Sequence, residues 1–165
     1  MPDKSPEKII TNELIEEQGE ELIEENQKTE ELYRKVSAIV GWSLESKVFP
    51  YLTVFAKKEF GVDVEIIDKR NIVYPNGKYD EVNIYAEGKK NGEVVYIIGE
   101  CKSNPTIKEV DNFSKLLERL KGHLKGKIYS FIVGYRYTPE VEEYLKEHHP
   151  EIKKMRSFEF ELNYS

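Results

Sequence analysis

Sulfur-bearing residues are scarce in this chain, with one cysteine and two methionines among 165 residues. A lone Cys101 cannot close an internal disulfide, so a reducing, cytoplasmic setting is the expectation. No apolar run approaches the roughly 20 residues needed to span a bilayer, so a membrane partner is not expected. The opening residues, MPDKSPEKII, lack the apolar centre of a signal peptide. No glycine-rich phosphate loop and no serine-centred nucleophile elbow is present, which excludes those two routes to phosphoryl and acyl chemistry. Positive charge is also short: 25 Lys and Arg face 31 Asp and Glu, a net −6 that is unusual for a protein gripping nucleic acid.

What the chain does hold is distributed unevenly. Hydrophobic residues make up 39% and charged residues 34%, the composition of a soluble domain with room for one core and an appendage. Abundant Lys and Glu with little Met or Cys lean towards a thermophilic source. Residues 1–31 carry eleven acids against three lysines, so their −8 exceeds the whole-chain −6 and leaves the remainder at +2. Any nucleic-acid surface is therefore expected as a local patch beyond the acidic segment. Residues 1–40 predict an acidic helical extension. Ile15, Leu22, Thr29 and Val36 recur at seven-residue spacing, with Leu32 and Ile39 at accompanying positions and Gln18 and Glu25 breaking the seam. Two readings stay open: a helix packed on its own domain, or a short coiled coil that makes a homodimer.

Residues 41–165 predict an α/β domain. Residues 41–60 pattern as a helix with Pro50 kinking or restarting it and Gly61 closing it. Alternation over 62–68, 79–86 and 93–101, with turns at Pro75-Asn76-Gly77 and Asn91-Gly92, predicts an antiparallel meander. A helix over 107–121 follows, then a buried strand at 127–134, a helix opening at Pro139 and stopped by Pro150, and an edge strand in SFEFEL (157–162). This order predicts a mixed central sheet flanked by helices.

Chemistry concentrates at Glu100-Cys101-Lys102, the end of the third strand. Strand alternation puts Glu100 and Lys102 on one face and Cys101 on the other. Asp80, at the start of the neighbouring strand, is expected to approach Glu100. Two carboxylates and a strand carbonyl make an oxygen-rich site suited to Mg²⁺, or Mn²⁺, with lysine beside the water it would activate. A bare Glu-x-Lys is also what an ordinary surface ion pair looks like.

In the order Glu45 in GWSLESK, Asp80 in YDEVNIYAEG, then Glu100 and Lys102 in GECKS before a helix, the sequence resembles the PD-(D/E)xK nuclease superfamily, and most of all its poorly characterised YDEVNI and GExK members. The resemblance covers about residues 41–134. It implies a restriction-endonuclease-like core and a metal-dependent nuclease hydrolysing phosphodiester bonds, with DNA as the expected partner. It assigns Asp80, Glu100, the Cys101 backbone carbonyl and Glu45 as metal ligands, and Lys102 as base or charge stabiliser. Tyr79 stands where the family's proline would be, which leaves Glu81 as a competing assignment. Alternation groups Asp80 with Val82 and Ile84, and Glu81 with Asn83 and Tyr85. Two alternatives stand beside this reading: a junction-resolving dimeric nuclease, and a catalytically inactive nuclease-fold module that binds nucleic acid or protein.

Other residues carry weaker signals. His148 and His149 sit at a helix end, where a cation suits the dipole. His123 is expected on the surface, and Trp42 at a helix start. Lys89, Lys90, Lys115, Arg119, Lys121, Lys125 and Lys127 are candidate phosphate contacts or plain solvated surface. Tyr135 and Tyr137, flanking Arg136, could line a cleft.

Overall fold

The computed structural model describes residues 27–29, 31, 32, 35 and 44–165. The chain divides into two compact units, Met1–Ile39 and Val40–Ser165. In the first unit the described residues are helical and exposed, with Lys35 and Glu31 paired at 3.3 Å one turn apart. The rest of the heptad pattern and Trp42 lie outside the described residues. Among the described residues no helix is long and apolar enough to cross a membrane.

In the second unit, residues 44–48 form a helical turn that passes through a 3₁₀ turn at Phe49–Tyr51 into helix α1 (Leu52–Phe60). Pro50 lies inside the 3₁₀ turn, where its fixed φ is tolerated and its missing N–H costs nothing. Strands β1 (Asp63–Val73), β2 (Tyr79–Lys90) and β3 (Glu93–Cys101) follow. Then come helix α2 (Ile107–His123), strand β4 (Lys127–Gly134), helix α3 (Pro139–His148), strand β5 (Ile152–Arg156) and helix α4 (Ser157–Tyr164). The sheet runs β1-β2-β3-β4-β5, antiparallel across the first three strands and parallel across the last three. The fold is thus α/β, with a five-stranded mixed sheet flanked by helices.

Each face of the sheet closes its own apolar cluster. One joins Leu44, Val48 and α1 to Ile84, Ile97, Phe131 and α4. The other joins α2 and α3 to Val82, Tyr85, Ile98 and Ile132. A sheet covered on both sides explains why β4 reads as a nearly unbroken apolar run.

SFEFEL is not the expected edge strand but the start of α4, and the preceding β5 supplies the edge. Phe160 and Tyr164, one helical turn apart, both pack on Phe55, with ring centroids at 5.0 and 5.1 Å. Glu159 reaches back to accept the Arg156 N–H at 2.8 Å, starting the helix. Burial of this aromatic pair outweighs the local alternation, and Phe158 and Leu162 are left exposed. β1 and β2 also run longer than the alternation marks.

Two glycines shape the sheet end that carries Glu100. A Cβ on Gly99 would meet the Phe131 ring at 2.4 Å, and one on Gly134 would meet Pro105 at 2.7 Å and the Lys102 carbonyl at 2.9 Å. Gly99→Ala is expected to cost ~1–3 kcal/mol by overpacking, seen as a lower urea midpoint at unchanged slope. An unchanged midpoint would mean that Phe131 does not press on this backbone.

Candidate active site

The site is built where the β2–β3 ladder stops. The last paired residues are Ile84 and Gly99, so Asn83 and Glu100 stand opposite one another one step further on. On the β4 side the ladder continues, with the Lys102 N–H donating to the Val133 carbonyl at 3.1 Å. On the β2 side, side chains take over. The Cys101 N–H is shared between the Asn83 Oδ1 at 3.2 Å and the Glu100 Oε1 at 3.1 Å.

A bulge in β2 decides which acid reaches this place. Asp68 pairs with Tyr85 but Arg70 pairs with Val82, so Lys69 alone faces both Asn83 and Ile84. Side-chain alternation slips by one at that point. Val82 and Tyr85 both join the cluster under α2, while Ile84 and Ala86 join the opposite one. The grouping of Asp80 with Ile84 expected from alternation is therefore broken.

Asp80 thus shares the α2 face with Glu100, but it stands three residues along β2 from Asn83 and does not converge with Glu100. It points to α2, where Arg119 grips it through a two-bond fork, Nε to Oδ2 at 2.7 Å and Nη2 to Oδ1 at 2.9 Å. The Tyr74 hydroxyl donates to the same Oδ2 at 2.7 Å. The Arg119 bonds, with help from Tyr74, hold the Asp80 carboxyl below its ordinary pKa. Burial and the Asp80 carboxylate push the Tyr74 phenol up to about 12. Among the acids assigned from sequence, Asp80 is the one the structure removes from the proposed metal shell. Glu81 falls on the other side, exposed, with its carboxylate 3.8 Å from Lys69.

Glu45 is only 4% exposed, and Lys69 of β1 donates to both its oxygens at 3.1 and 3.2 Å. A buried carboxylate needs such a partner. Lys69 is a site residue that sequence reasoning missed, since nothing in DVEIIDKRNIV marks it. Asn83 is the other.

Glu100 is the most perturbed acid. Burial pushes its carboxyl up to about 7, opposed by Lys102 and the Cys101 N–H and reinforced by the charges of Glu109 and Glu45. The Glu45 field also reaches Cys101, whose thiol is driven up chiefly by burial against the apolar cluster. Lys102 lies 3.7 Å from Glu109 in the first turn of α2, a loose and half-exposed pairing that leaves its ammonium able to engage an anion.

The Glu100 shift sets a pH dependence. An unfolded glutamate ionises near 4.5, the folded one near 7. Below 4.5 both states are protonated; between the two values only the unfolded chain ionises, so stability falls as pH rises; above 7 the penalty is complete, on the order of 3 kcal/mol. In chelator, Glu100→Gln is therefore expected to raise the melting temperature at pH 8 but not at pH 4.5. Equal effects at both pH values would rule out a buried, ionising Glu100.

For the divalent ion that the family resemblance implies, the available donors are Glu45, Glu100, the Asn83 side-chain oxygen and the Cys101 carbonyl. These are all hard oxygens and fit Mg²⁺ or Mn²⁺ in kind. The acid count is two, not the expected three: among the described residues no group of three or more His, Cys, Asp and Glu gathers closely enough to hold a metal.

The other sequence candidates fall elsewhere. Tyr137 does not line a cleft; it is buried, its hydroxyl donating to the carbonyls of Ile132 and Met155. Lys90 and Lys127 gather around Tyr129, on strand ends away from Glu100. His149 caps α3 and lies 3.4 Å from Asp111. Compared with protein-family models, curated proteins and solved structures, the chain matches none.

Proposed function

We propose that this protein is a divalent-cation-dependent phosphodiester hydrolase of nucleic acid, with DNA the expected substrate, built on a restriction-endonuclease-like core. The observation that carries the reading is that the buried Glu45 and the half-buried Glu100 come from separate elements to one sheet end, near enough for the Glu45 charge to act on Glu100, with Lys102 beside them. Placing two acids that repel each other in desolvated positions is costly unless the arrangement serves something beyond stability. The order of a helical acid, a meander, Glu-x-Lys, a helix and a parallel strand supports the core assignment.

A divalent cation held by Glu45, Glu100, Asn83 and the Cys101 carbonyl would polarise a phosphoryl oxygen and acidify a water. Glu100 must ionise to serve as a ligand, so ion affinity should climb as pH rises through about 7. Lys102, on the same face as Glu100, would place its ammonium against the charge developing on the phosphate.

One observation favours a second reading, a nuclease-fold module that binds nucleic acid without cutting it: the residue opposite Glu100 is the neutral Asn83. The deciding experiment incubates labelled single-stranded, duplex and branched DNA with the full chain in Mg²⁺, Mn²⁺ or chelator. Metal-dependent cleavage supports the hydrolase; binding with no cleavage of any substrate supports the module.

A further inference from the structure

The fork that captures Asp80 forms one wall of a cavity of about 760 Å³ between the β1–β2 turn and the last turn of α2. Its chemistry is aromatic and cationic. Tyr74 packs edge-to-face on His123, with centroids 5.2 Å apart at 79°. Tyr79, beside them at the start of β2, is 65% exposed and offers its ring to solvent. Arg119 is fixed by its two bonds to Asp80 yet remains half exposed, so a flat guanidinium is presented in a set orientation. Lys78, in the turn before β2, adds a cation to the lining.

We infer that this cavity receives an unpaired nucleobase of the strand being processed, which makes single-stranded or flapped nucleic acid the substrate class. The inference rests on the nucleic-acid reading above and extends it. Tyrosine rings and arginine planes are the groups on which splayed bases stack, and a base inside a duplex has both faces already covered by its neighbours. The volume suits a nucleotide-sized ligand. Position fits as well. Asp80 is three residues along β2 from Asn83, roughly 10 Å at strand rise. Asp80 and Glu100 each share the α2 face with their strand neighbours Val82 and Ile98. A strand bound at Glu100 therefore has the next nucleotides within reach of the cavity.

Two variants test this without disturbing the core. Tyr79→Ala removes an exposed ring. Gly122→Leu adds a side chain to a residue lining the cavity, at a position where a Cβ meets nothing within 4 Å, and so occupies part of it. Binding is measured by fluorescence anisotropy in EDTA, so that cleavage is not needed, using fluorescein-labelled oligothymidylate, oligouridylate and a blunt DNA duplex. The wild type is expected to favour the single strands over the duplex by roughly tenfold or more. Each variant should weaken single-strand binding by roughly five- to a hundredfold and leave duplex binding unchanged. The oligouridylate arm tells RNA from DNA.

Equal affinity of the wild type for single strand and duplex, no binding at all, or variants that bind as the wild type does would each overturn the cavity's role. These outcomes separate from the catalytic proposal. Cleavage with unaltered variant binding would leave the hydrolase and remove the base pocket, whereas variant-sensitive binding with no cleavage would do the reverse.

Discussion

Lys102→Ala should lower metal-supported cleavage by roughly 10²–10³-fold, the loss typical of removing one group that stabilises charge on the reacting centre. The size follows from where Lys102 stands. It leaves the sheet on the face of Glu100, and its ion-pair partner among the described residues is Glu109 at 3.7 Å. A pair that loose and exposed contributes little to stability, so the variant should melt within a degree or two of wild type. The rate loss would then belong to chemistry and not to unfolding. Lys102→Arg keeps the charge but spreads it over a plane, and is expected to recover only part of the rate. Single-turnover measurement with labelled DNA and Mn²⁺ reads all three proteins. If Lys102→Ala cleaves as fast as wild type, the Glu100-Cys101-Lys102 tripeptide is not the catalytic centre.

The second large effect should come from Asn83→Asp. Asn83 faces Glu100 across the end of the β2–β3 ladder, and its Oδ1 already accepts the Cys101 N–H. An aspartate there keeps that hydrogen bond and adds a third carboxylate to Glu45 and Glu100. In chelator the added charge should destabilise the protein, because like charges in a partly buried setting repel and push the Glu100 carboxyl still higher. With Mg²⁺ or Mn²⁺ the sign reverses. The variant should bind the ion at least tenfold more tightly, about 1.4 kcal/mol, and show a larger rise in melting temperature on titration. A faster cleavage rate would accompany it if ion occupancy limits the wild type. If the melting temperature of Asn83→Asp ignores the cation, Asn83 does not border an ion site and the non-cutting module gains.

These two variants also mark where the sequence was sufficient and where it was not. β3, β4 and α2 were legible because each carries a long, consistent period: nearly unbroken apolar residues in the buried strands, and Val110, Phe113, Leu117 and Leu120 at helical spacing. The placing of Glu100 and Lys102 followed from β3 alone. Asp80 was misplaced because its distance from Glu100 depends on register between two strands and on the capture of its carboxylate by Arg119 from α2. Neither leaves a mark in YDEVNIYAEG, where alternation looks unbroken. Glu45 could be named from its place in the chain, but not its partner, because Lys69 comes from a strand 24 residues away and meets it only in the folded state. SFEFEL alternates as a strand should, and became a helix because Phe55 offers a place for Phe160 and Tyr164 together.

The bulge in β2 has a consequence for how this site could change over time. Either side of Asn83 and Ile84, the strand presents its residues in two different phases, much as a message is read in two frames around an inserted letter. Loss of a single codon at that point would remove the extra residue, and Val82 and Tyr85, then two apart, would share the α2 face by plain alternation. Asp80 would keep its place at Arg119 and Glu81 its place near Lys69. The strand can thus gain or lose a residue here without moving either acid, because the bulge absorbs a change of length that would otherwise turn one stretch of β2 over.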